Sequence, residues 1–163
     1  MAIEIERKFL VTSDDWRSSV TQVEHFRDGL LARFGGGKVR VRQAADRAWV
    51  TIKGPRVGIA RSEFEYEITL ADADEMLRTL CQGSVIEKAR HCVSYGDHIW
   101  AVDVHLGALD GLVFAEIELD SETESFQRPP WVGREVTDDP RFRKEALMRQ
   151  VEEAGQPWTP ARL

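Results

Sequence analysis

The chain alternates apolar and polar positions in eight runs, which lie at 2–11, 22–33, 38–44, 47–53, 61–70, 85–95, 98–106 and 112–120. Successive side chains of a β-strand point to opposite faces of its sheet, so a period of two residues is typical of strands. Short connections such as Ala45-Asp46 and Tyr95-Gly96-Asp97 indicate antiparallel hairpins. The pattern therefore predicts an all-β or α+β fold in which eight antiparallel strands form a barrel.

Two segments have the spacing of helices instead. Residues 72–82 repeat apolar positions on one helical face, with Asp72 as the expected N-cap and Gly83 just past the end. Asp139-Pro140 predicts the start of a second helix that continues to Ala154, because proline is favoured at the first helical position. Two shorter helices are expected at 13–19 and 121–127.

Length and composition indicate one globular domain that spans residues 1–163. Apolar residues make up 42% of the chain and charged residues 31%, which excludes a disordered protein. The net charge of −6 argues against binding of a long nucleic acid and leaves a small anionic ligand open. The first residues carry charge where a signal peptide needs an apolar core, and no apolar run approaches membrane length, so we expect a cytoplasmic protein.

Two local patterns that could suggest other chemistry are weak. Residues 35–38 (Gly-Gly-Gly-Lys) resemble part of a P-loop, but Ala32 stands where a glycine is needed and Val39 where Ser or Thr would contact Mg²⁺. A hairpin loop is expected there. Cys81 and Cys92 have neither zinc-site spacing nor a nucleophile signature, so we expect both to be packing residues.

Charged side chains alternate along several of the predicted strands. Glutamates are found at 4 and 6, at 63, 65 and 67, and at 116 and 118, whereas cations are found at 38, 40 and 42, at 53, at 61, and at 88 and 90. A solvated face of an antiparallel sheet is the ordinary explanation of such alternation. However, Glu and Lys are poorly suited to strands, and the two signs are segregated by strand. A solvated face and an enclosed charged cavity therefore both remain open.

An enclosed cavity with these walls would have a definite chemistry. Buried carboxylates are costly unless cations lie beside them. Clustered glutamates suit hard divalent cations such as Mg²⁺, which bind carboxylates together with water and substrate phosphates. Arginine and lysine on facing walls would bind phosphate oxygens. Such a cavity would be suited to a metal–polyphosphate complex.

The ordered series of motifs resembles the CYTH superfamily, also called triphosphate tunnel metalloenzymes. Glu4-Ile5-Glu6-Arg7-Lys8 is similar to the family's N-terminal ExExK signature. The later motifs lie in family order at 39–42, 51–54, 61–68, 87–90, 100–104, 115–119 and 133–142. The resemblance implies a mainly β, α+β domain, namely a closed eight-stranded antiparallel β-barrel tunnel with a charged interior and helices packed outside. Among the members, the short bacterial inorganic triphosphatases look most similar.

The resemblance also implies roles for individual residues. The implied metal ligands for Mg²⁺ or Mn²⁺ are Glu4, Glu6, Asp103, Glu116 and Glu118. The implied phosphate-binding residues are Lys8, Arg40, Arg42, Lys53, Arg61, Lys88 and Arg90. Lys88 and Arg90 are the catalytic candidates, since they would stabilise the leaving oxygen. Glu63, Glu65 and Glu67 would orient the tunnel cations or a second metal ion, and supporting salt bridges are the alternative for each of them. Glu135, Arg143 and Lys144 are weaker candidates, because helix surface is the simpler explanation of them.

The implied activity is divalent-metal-dependent hydrolysis of the terminal phosphate of inorganic triphosphate. The alternatives are a thiamine- or nucleoside-triphosphatase, a CYTH-type adenylate cyclase and a non-catalytic polyphosphate-binding module. Related short triphosphatases often carry a tyrosine where this chain has Leu30, so turnover rate or substrate preference is expected to differ. The expected partner is a small-molecule triphosphate, with no nucleic acid polymer and no membrane, and a homodimer is an open alternative.

Overall fold

Eight antiparallel strands follow one another in a closed ring. The computed structural model describes residues 2–159. Its strands are β1 (Ile3–Val11), β2 (Val20–Phe34), β3 (Gly37–Gln43), β4 (Ala48–Lys53), β5 (Ala60–Ile68), β6 (Ile86–Tyr95), β7 (His98–His105), β8 (Val113–Glu118) and β9 (Val132–Glu135). They are ordered β5-β4-β3-β2-β6-β7-β8-β1-β9, and pairing of β1 with β5 closes the ring. The predicted eight-stranded architecture is confirmed, and β9, which pairs with β1, is an addition that the alternation did not predict.

The ring has its charged rows on the inside and its apolar rows on the outside. In the β1–β8 pair, Glu6 lies opposite Glu118 and Lys8 lies opposite Glu116. Residues at alternating positions of the same two strands, such as Phe9 and Ile117, are 1% exposed and belong to an apolar cluster on the outer face. The period of two residues thus separates the two faces, and the charged-interior alternative is the correct one.

Three apolar clusters cover parts of the outer face and one end of the ring. The largest packs on β1 and β6–β8, and contains Trp16 from a 3-10 helix (Asp15–Ser19) and Trp131 from the segment before β9. A second joins the helix α1 (Leu70–Thr79) to β3 and β4. The third joins the helix α2 (Lys144–Ala154) to Phe114. Because Phe114 occupies an inward position of β8, α2 packs where the interior of the ring becomes apolar.

Close approach of α1 to the ring requires a glycine in β2. A Cβ atom on Gly29 would lie 2.2 Å from Sγ of Cys81 and 2.8 Å from a methyl carbon of Leu77. Cys81 packs against this cluster, as predicted for a structural cysteine. Only a residue without a side chain leaves room for this contact.

Both predicted helices exist, with different beginnings. α1 starts at Leu70, and the Thr69 hydroxyl accepts a hydrogen bond from the Asp72 amide at 3.0 Å, so the prediction of Asp72 as N-cap was wrong. Asp139-Pro140 begins a 3-10 turn (Pro140–Phe142) instead of α2 itself. The extended backbone of Arg143 (ψ 136°) separates that turn from α2.

Three further predictions have a clear outcome. The expected helix at 13–19 is the 3-10 helix Asp15–Ser19, whereas 121–127 forms a turn followed by irregular chain, so a helix there was wrong. Gly35 and Gly36 have φ values of +46° and +84° and turn the chain from β2 into β3, which confirms the hairpin loop. Between residues 2 and 159, no helix is long and apolar enough to cross a membrane.

Candidate active site

The ring encloses a cavity of about 750 Å³ whose walls are mostly charged. Most residues that the motifs singled out line it, namely Glu4, Glu6, Lys8, Arg40, Arg42, Lys53, Arg61, Glu63, Glu65, Lys88, Arg90, Glu116 and Glu118. Two others do not. Asp103 lies behind the wall and is fully buried, and Glu67 is exposed at the end of the same row as Glu63 and Glu65.

Three glutamates from two paired strands converge at one place in the cavity. One carboxylate oxygen of each of Glu4, Glu6 and Glu118 lies within 4.8 Å of the others. Burial, together with the charges of Glu116 and Glu4, raises the pKa of Glu6 above its usual value. A group of oxygen ligands that repel one another in this way fits a hard divalent cation, which would neutralise them.

Glu4 is also paired with cations from β4 and β5. Its oxygens lie 2.7 Å from Nζ of Lys53 and 2.5 Å from Nε of Arg61. Although burial alone would raise it, these two charges hold the pKa of Glu4 well below its usual range. Glu63 lies 2.7 Å from the same Lys53 ammonium, and burial and a hydrogen bond with Glu4 raise the pKa of Glu63 to about 7. Lys53 therefore bridges the acids of two strands.

The other two predicted metal ligands are in a separate group. Asp103 forms ion pairs with Lys88 and with Arg90, whose Nε and Nη2 donate to it at 2.7 and 2.8 Å. Arg90 also donates to Glu116 at 2.7 Å, and Nζ of Lys8 lies 3.4 Å from the other oxygen of Glu116. Asp103 and Glu116 thus hold cations in place. Within the part of the chain that the structure describes, neither belongs to the convergent set of three glutamates.

Burial and pairing determine the protonation of this second group. Although burial acts in the opposite direction, the charges of Lys88 and Arg90 hold the pKa of Asp103 below its usual range. Lys88 is 1% exposed, and burial followed by the nearby charge of Arg90 lowers its pKa. The negative charge of Asp103 acts in the opposite direction and raises the pKa of Lys88. Its position, directly between the two catalytic candidates, fixes their side chains.

Asp28 is a cavity residue that the motifs did not identify. Its carboxylate accepts hydrogen bonds from Nε and Nη2 of Arg42 at 2.7 and 2.9 Å, and lies 3.8 Å from Arg40 and 3.5 Å from Nζ of Lys144. The sequence contained one sign of this role. Asp28 is a single acid on the same face of β2 as Phe26 and Leu30, and this face points inward. The surface explanation of Lys144 was wrong, because its side chain is 17% exposed and lines the cavity.

The α2 end of the cavity contains another set of ion pairs. Glu145, the second residue of α2, lies 3.2 Å from Nζ of Lys38 and 3.1 Å from Arg33. Arg143 also lines the cavity, which the helix-surface explanation did not predict, whereas Glu135 on β9 pairs with Arg7 outside it. Charge pairing therefore attaches the start of α2 to β2 and β3.

Leu30 is the residue at which the family resemblance led us to expect a tyrosine. It is half-buried on β2, lies opposite Arg40 in the register with β3, and lines the cavity. Its side chain supplies an apolar surface to the wall and no hydroxyl group.

A closed ring of strands around a cavity of paired acids and bases defines a tunnel protein suited to a small polyanion. The chain belongs to the CYTH domain family, whose model matches residues 2–147, and the resemblance seen in the motifs is thereby confirmed.

Named relatives and a solved structure agree with this assignment. An inorganic triphosphatase of Acetivibrio thermocellus is 43% identical over 149 residues, which are 91% of this chain and 95% of that protein. An inorganic triphosphatase of Nitrosomonas europaea is 34% identical over 152 residues, which are 91% of this chain and 98% of that protein. A crystal structure of an inorganic triphosphatase matches with a TM-score of 0.62 and 32% identity, and covers 91% of this chain and 95% of that chain.

Proposed function

We propose that the protein is a hydrolase that releases the terminal phosphate of inorganic triphosphate with Mg²⁺ or Mn²⁺ as cofactor. The observation that carries this proposal is the juxtaposition of three convergent glutamates and a row of cations within one enclosed cavity. Relatives that are 43% and 34% identical and are named inorganic triphosphatases support the substrate.

The cations of the cavity are proposed to bind the phosphate groups. These residues are Lys8, Arg40, Arg42, Lys53, Arg61, Lys88 and Arg90, the set that the family resemblance implied. Arginine can bind two phosphate oxygens with its planar fork, whereas lysine acts as a point charge. Triphosphate carries several negative charges, so a wall that presents many cations favours it over a neutral or singly charged ligand.

Glu4, Glu6 and Glu118 are the proposed metal ligands. A bound Mg²⁺ or Mn²⁺ would neutralise charge on the phosphate oxygens and lower the pKa of the attacking water. Asp103 and Glu116, which the resemblance placed among the ligands, are instead proposed to orient cations, because they lie outside the convergent set of three glutamates and accept hydrogen bonds from Arg90.

The proposed reaction is in-line displacement at the terminal phosphorus. Water adds to this phosphorus, the bond to the bridging oxygen breaks, and phosphate and pyrophosphate leave. Lys88 and Arg90 are the proposed groups that stabilise charge on the leaving oxygen, and Asp103 fixes both of them in advance. Such fixed charges assist phosphoryl transfer mainly through positioning and electrostatics.

A substrate panel tests the proposal. Purified protein is incubated with triphosphate, ATP or thiamine triphosphate, each with Mg²⁺ or Mn²⁺ and each with a chelator. We expect free phosphate from triphosphate in the presence of metal, with less from the two organic substrates. Cyclic AMP from ATP would instead support a cyclase, and tight retention of triphosphate without products would support a binding module. Phosphate release that persists in the chelator would contradict metal dependence.

We also propose a cytoplasmic protein with one domain across residues 1–163. The family match at 2–147 and the single ring of strands support this organisation. A homodimer remains a prediction, which light scattering of the purified protein would test.

A further inference from the structure

Asp28 joins three structural elements through one carboxylate. It is 4% exposed on β2, and its cationic partners are Arg40 and Arg42 on β3 and Lys144 at the start of α2. All four side chains line the cavity. Glu4, Glu63 and Glu116 pair only with cations of the strands, whereas Asp28 also pairs with a cation from a helix.

We propose that Asp28 is a positioning residue for triphosphate binding, an inference that rests on the proposed function. It holds Arg40, Arg42 and Lys144 as one cluster that faces the bound phosphates. The two-point contact with Arg42 fixes the plane of that guanidinium, whose side chain lines the cavity and whose remaining N–H groups can then bind phosphate oxygens. A fixed fork loses less conformational entropy when it binds phosphate than a mobile one does.

Asp28 also keeps the cluster charged. Burial lowers the pKa of Lys144, and Asp28 is the foremost of the groups that act to raise it. Without this carboxylate, three like charges would lie together in a poorly solvated place. Lys144 would then lose its proton more readily, and the guanidinium groups would turn apart. Loss of Asp28 should therefore weaken anion binding.

Net charge alone predicts the opposite result. Removal of one negative charge from the cavity makes its potential more positive, which would strengthen the binding of an anion. The positioning role therefore predicts weaker binding of the anion, and the simple charge effect predicts tighter binding. The affinity of an isosteric neutral variant at position 28 distinguishes them.

Calorimetric titration with inorganic triphosphate in metal-free buffer measures binding without turnover. We expect Asp28→Asn to weaken binding by at least about tenfold, the usual effect of losing a charge-assisted hydrogen bond. With metal present, the KM for triphosphate should rise by a similar factor, with a smaller change in kcat. The matched control is Asp74→Asn, because Asp74 pairs with Arg27 at 3.3 Å on the outer surface. This control should bind as the wild type does.

A double-mutant cycle tests whether Asp28 acts through its partners. In an Arg42→Gln background, Asp28→Asn should weaken binding by less than about threefold further, because the two changes disrupt the same cluster. Lys144→Gln should weaken binding about fivefold. If circular dichroism shows that Asp28→Asn does not fold, Asp28→Ser takes its place, with the same expected loss of binding.

Several outcomes would overturn the inference. They are wild-type or tighter binding by Asp28→Asn, additive losses in the cycle, and wild-type affinity in Lys144→Gln. The outcomes for the two proposals are distinguishable. Asp28-dependent binding of triphosphate without hydrolysis would reject the proposed function alone. Hydrolysis with an unchanged KM in Asp28→Asn would reject this inference alone.

Discussion

The ammonium of Lys53 on β4 lies 2.7 Å from a carboxylate oxygen of Glu4 on β1, although these two strands are not neighbours in the ring. A proposed phosphate-binding group and a proposed metal ligand thus neutralise one another. The carboxylate oxygens of Glu4 cannot pair fully with Lys53 and coordinate a metal ion at the same time. Metal binding should therefore release Lys53 for phosphate, and we expect metal and triphosphate to bind with positive coupling.

Neutralising the proposed metal ligands should remove metal-dependent activity while the fold stays intact. In the double variant Glu4→Gln/Glu6→Gln, we expect triphosphate hydrolysis to fall by at least about a hundredfold. Burial and the negative charges of Glu116 and Glu4 raise the pKa of Glu6. Glu6→Gln therefore relieves electrostatic repulsion between these carboxylates. Phosphate release and Mn²⁺ binding, measured by electron paramagnetic resonance, check the expectation.

The matched control for that variant is Glu75→Gln on the exposed face of α1, which should keep full activity. Circular dichroism should show native secondary structure in both variants. Normal turnover by the double variant would remove Glu4 and Glu6 from the metal site.

Removal of the bridging ammonium should make stability depend more strongly on metal. Lys53→Met leaves Glu4 and Glu63 without their shared partner in a place where Lys53 is 5% exposed, and we expect a loss of about 3 kcal/mol in the free energy of unfolding. Mg²⁺ should recover part of this loss, so Tm should rise more with Mg²⁺ in the variant than in the wild type. Thermal unfolding in MgCl₂ and in NaCl of equal ionic strength measures the difference. Equal Mg²⁺ responses in the two proteins would contradict it.

The attachment of α2 should depend on pH through Glu145. Although burial acts against it, the charge of Lys38 lowers the pKa of Glu145 to about 2 from an ordinary value of 4.5. A lowered pKa in the folded state adds stability above pH 4.5, and this stability is lost as the pH falls toward 2. We therefore expect Glu145→Gln to lower the free energy of unfolding by about 1 kcal/mol at neutral pH, with a smaller difference in acid.

Urea denaturation of Glu145→Gln and wild type over this pH range provides the measurement. Glu153→Gln, on the exposed side of the same helix, is the control and should match the wild type at every pH. A difference between Glu145→Gln and wild type that does not change with pH would argue against the ion pair as its source.

The contact beneath α1 predicts a steric effect at Gly29. A methyl group there would overlap Sγ of Cys81, so Gly29→Ala should lower the free energy of unfolding by about 2 kcal/mol. The second change Cys81→Ala removes the overlapping atom and should recover at least half of the loss. Chemical denaturation of both single variants and the double variant gives the comparison. Losses that simply add would indicate that the two residues do not interact.

The sequence predicted the ring well because the charged rows have the period of a strand. Glu4 and Glu6, and their counterparts Glu116 and Glu118, alternate with apolar residues that must be buried, and this fixes which face each residue occupies. Four residues of β9 are too few to show such a period, and Gly133 interrupts them. A methyl group on Gly133 would lie 2.7 Å from a carbon of Thr12, a contact between distant parts of the chain that no local pattern contains.

Pairing within the cavity was the least predictable part of the site. A motif places Asp103 near the metal ligands, but only the assembled ring shows that Lys88 and Arg90 occupy its oxygens. Asp28 and Lys144 are 116 positions apart in sequence, as their numbers show, and their contact depends on where α2 packs. Which acid meets which base is therefore a property of the closed ring and not of any single strand.

Closure of the ring by β1 has a consequence for folding of the nascent chain. This strand pairs with β5 and β8, so Glu6 meets Glu118 only after more than a hundred intervening residues have been made. Contacts between such distant segments form slowly, because a long loop must close first. The acidic trio cannot assemble during early translation. A chain interrupted before β8 would thus be unable to sequester divalent ions by these glutamates, so metal loading should mark finished molecules only.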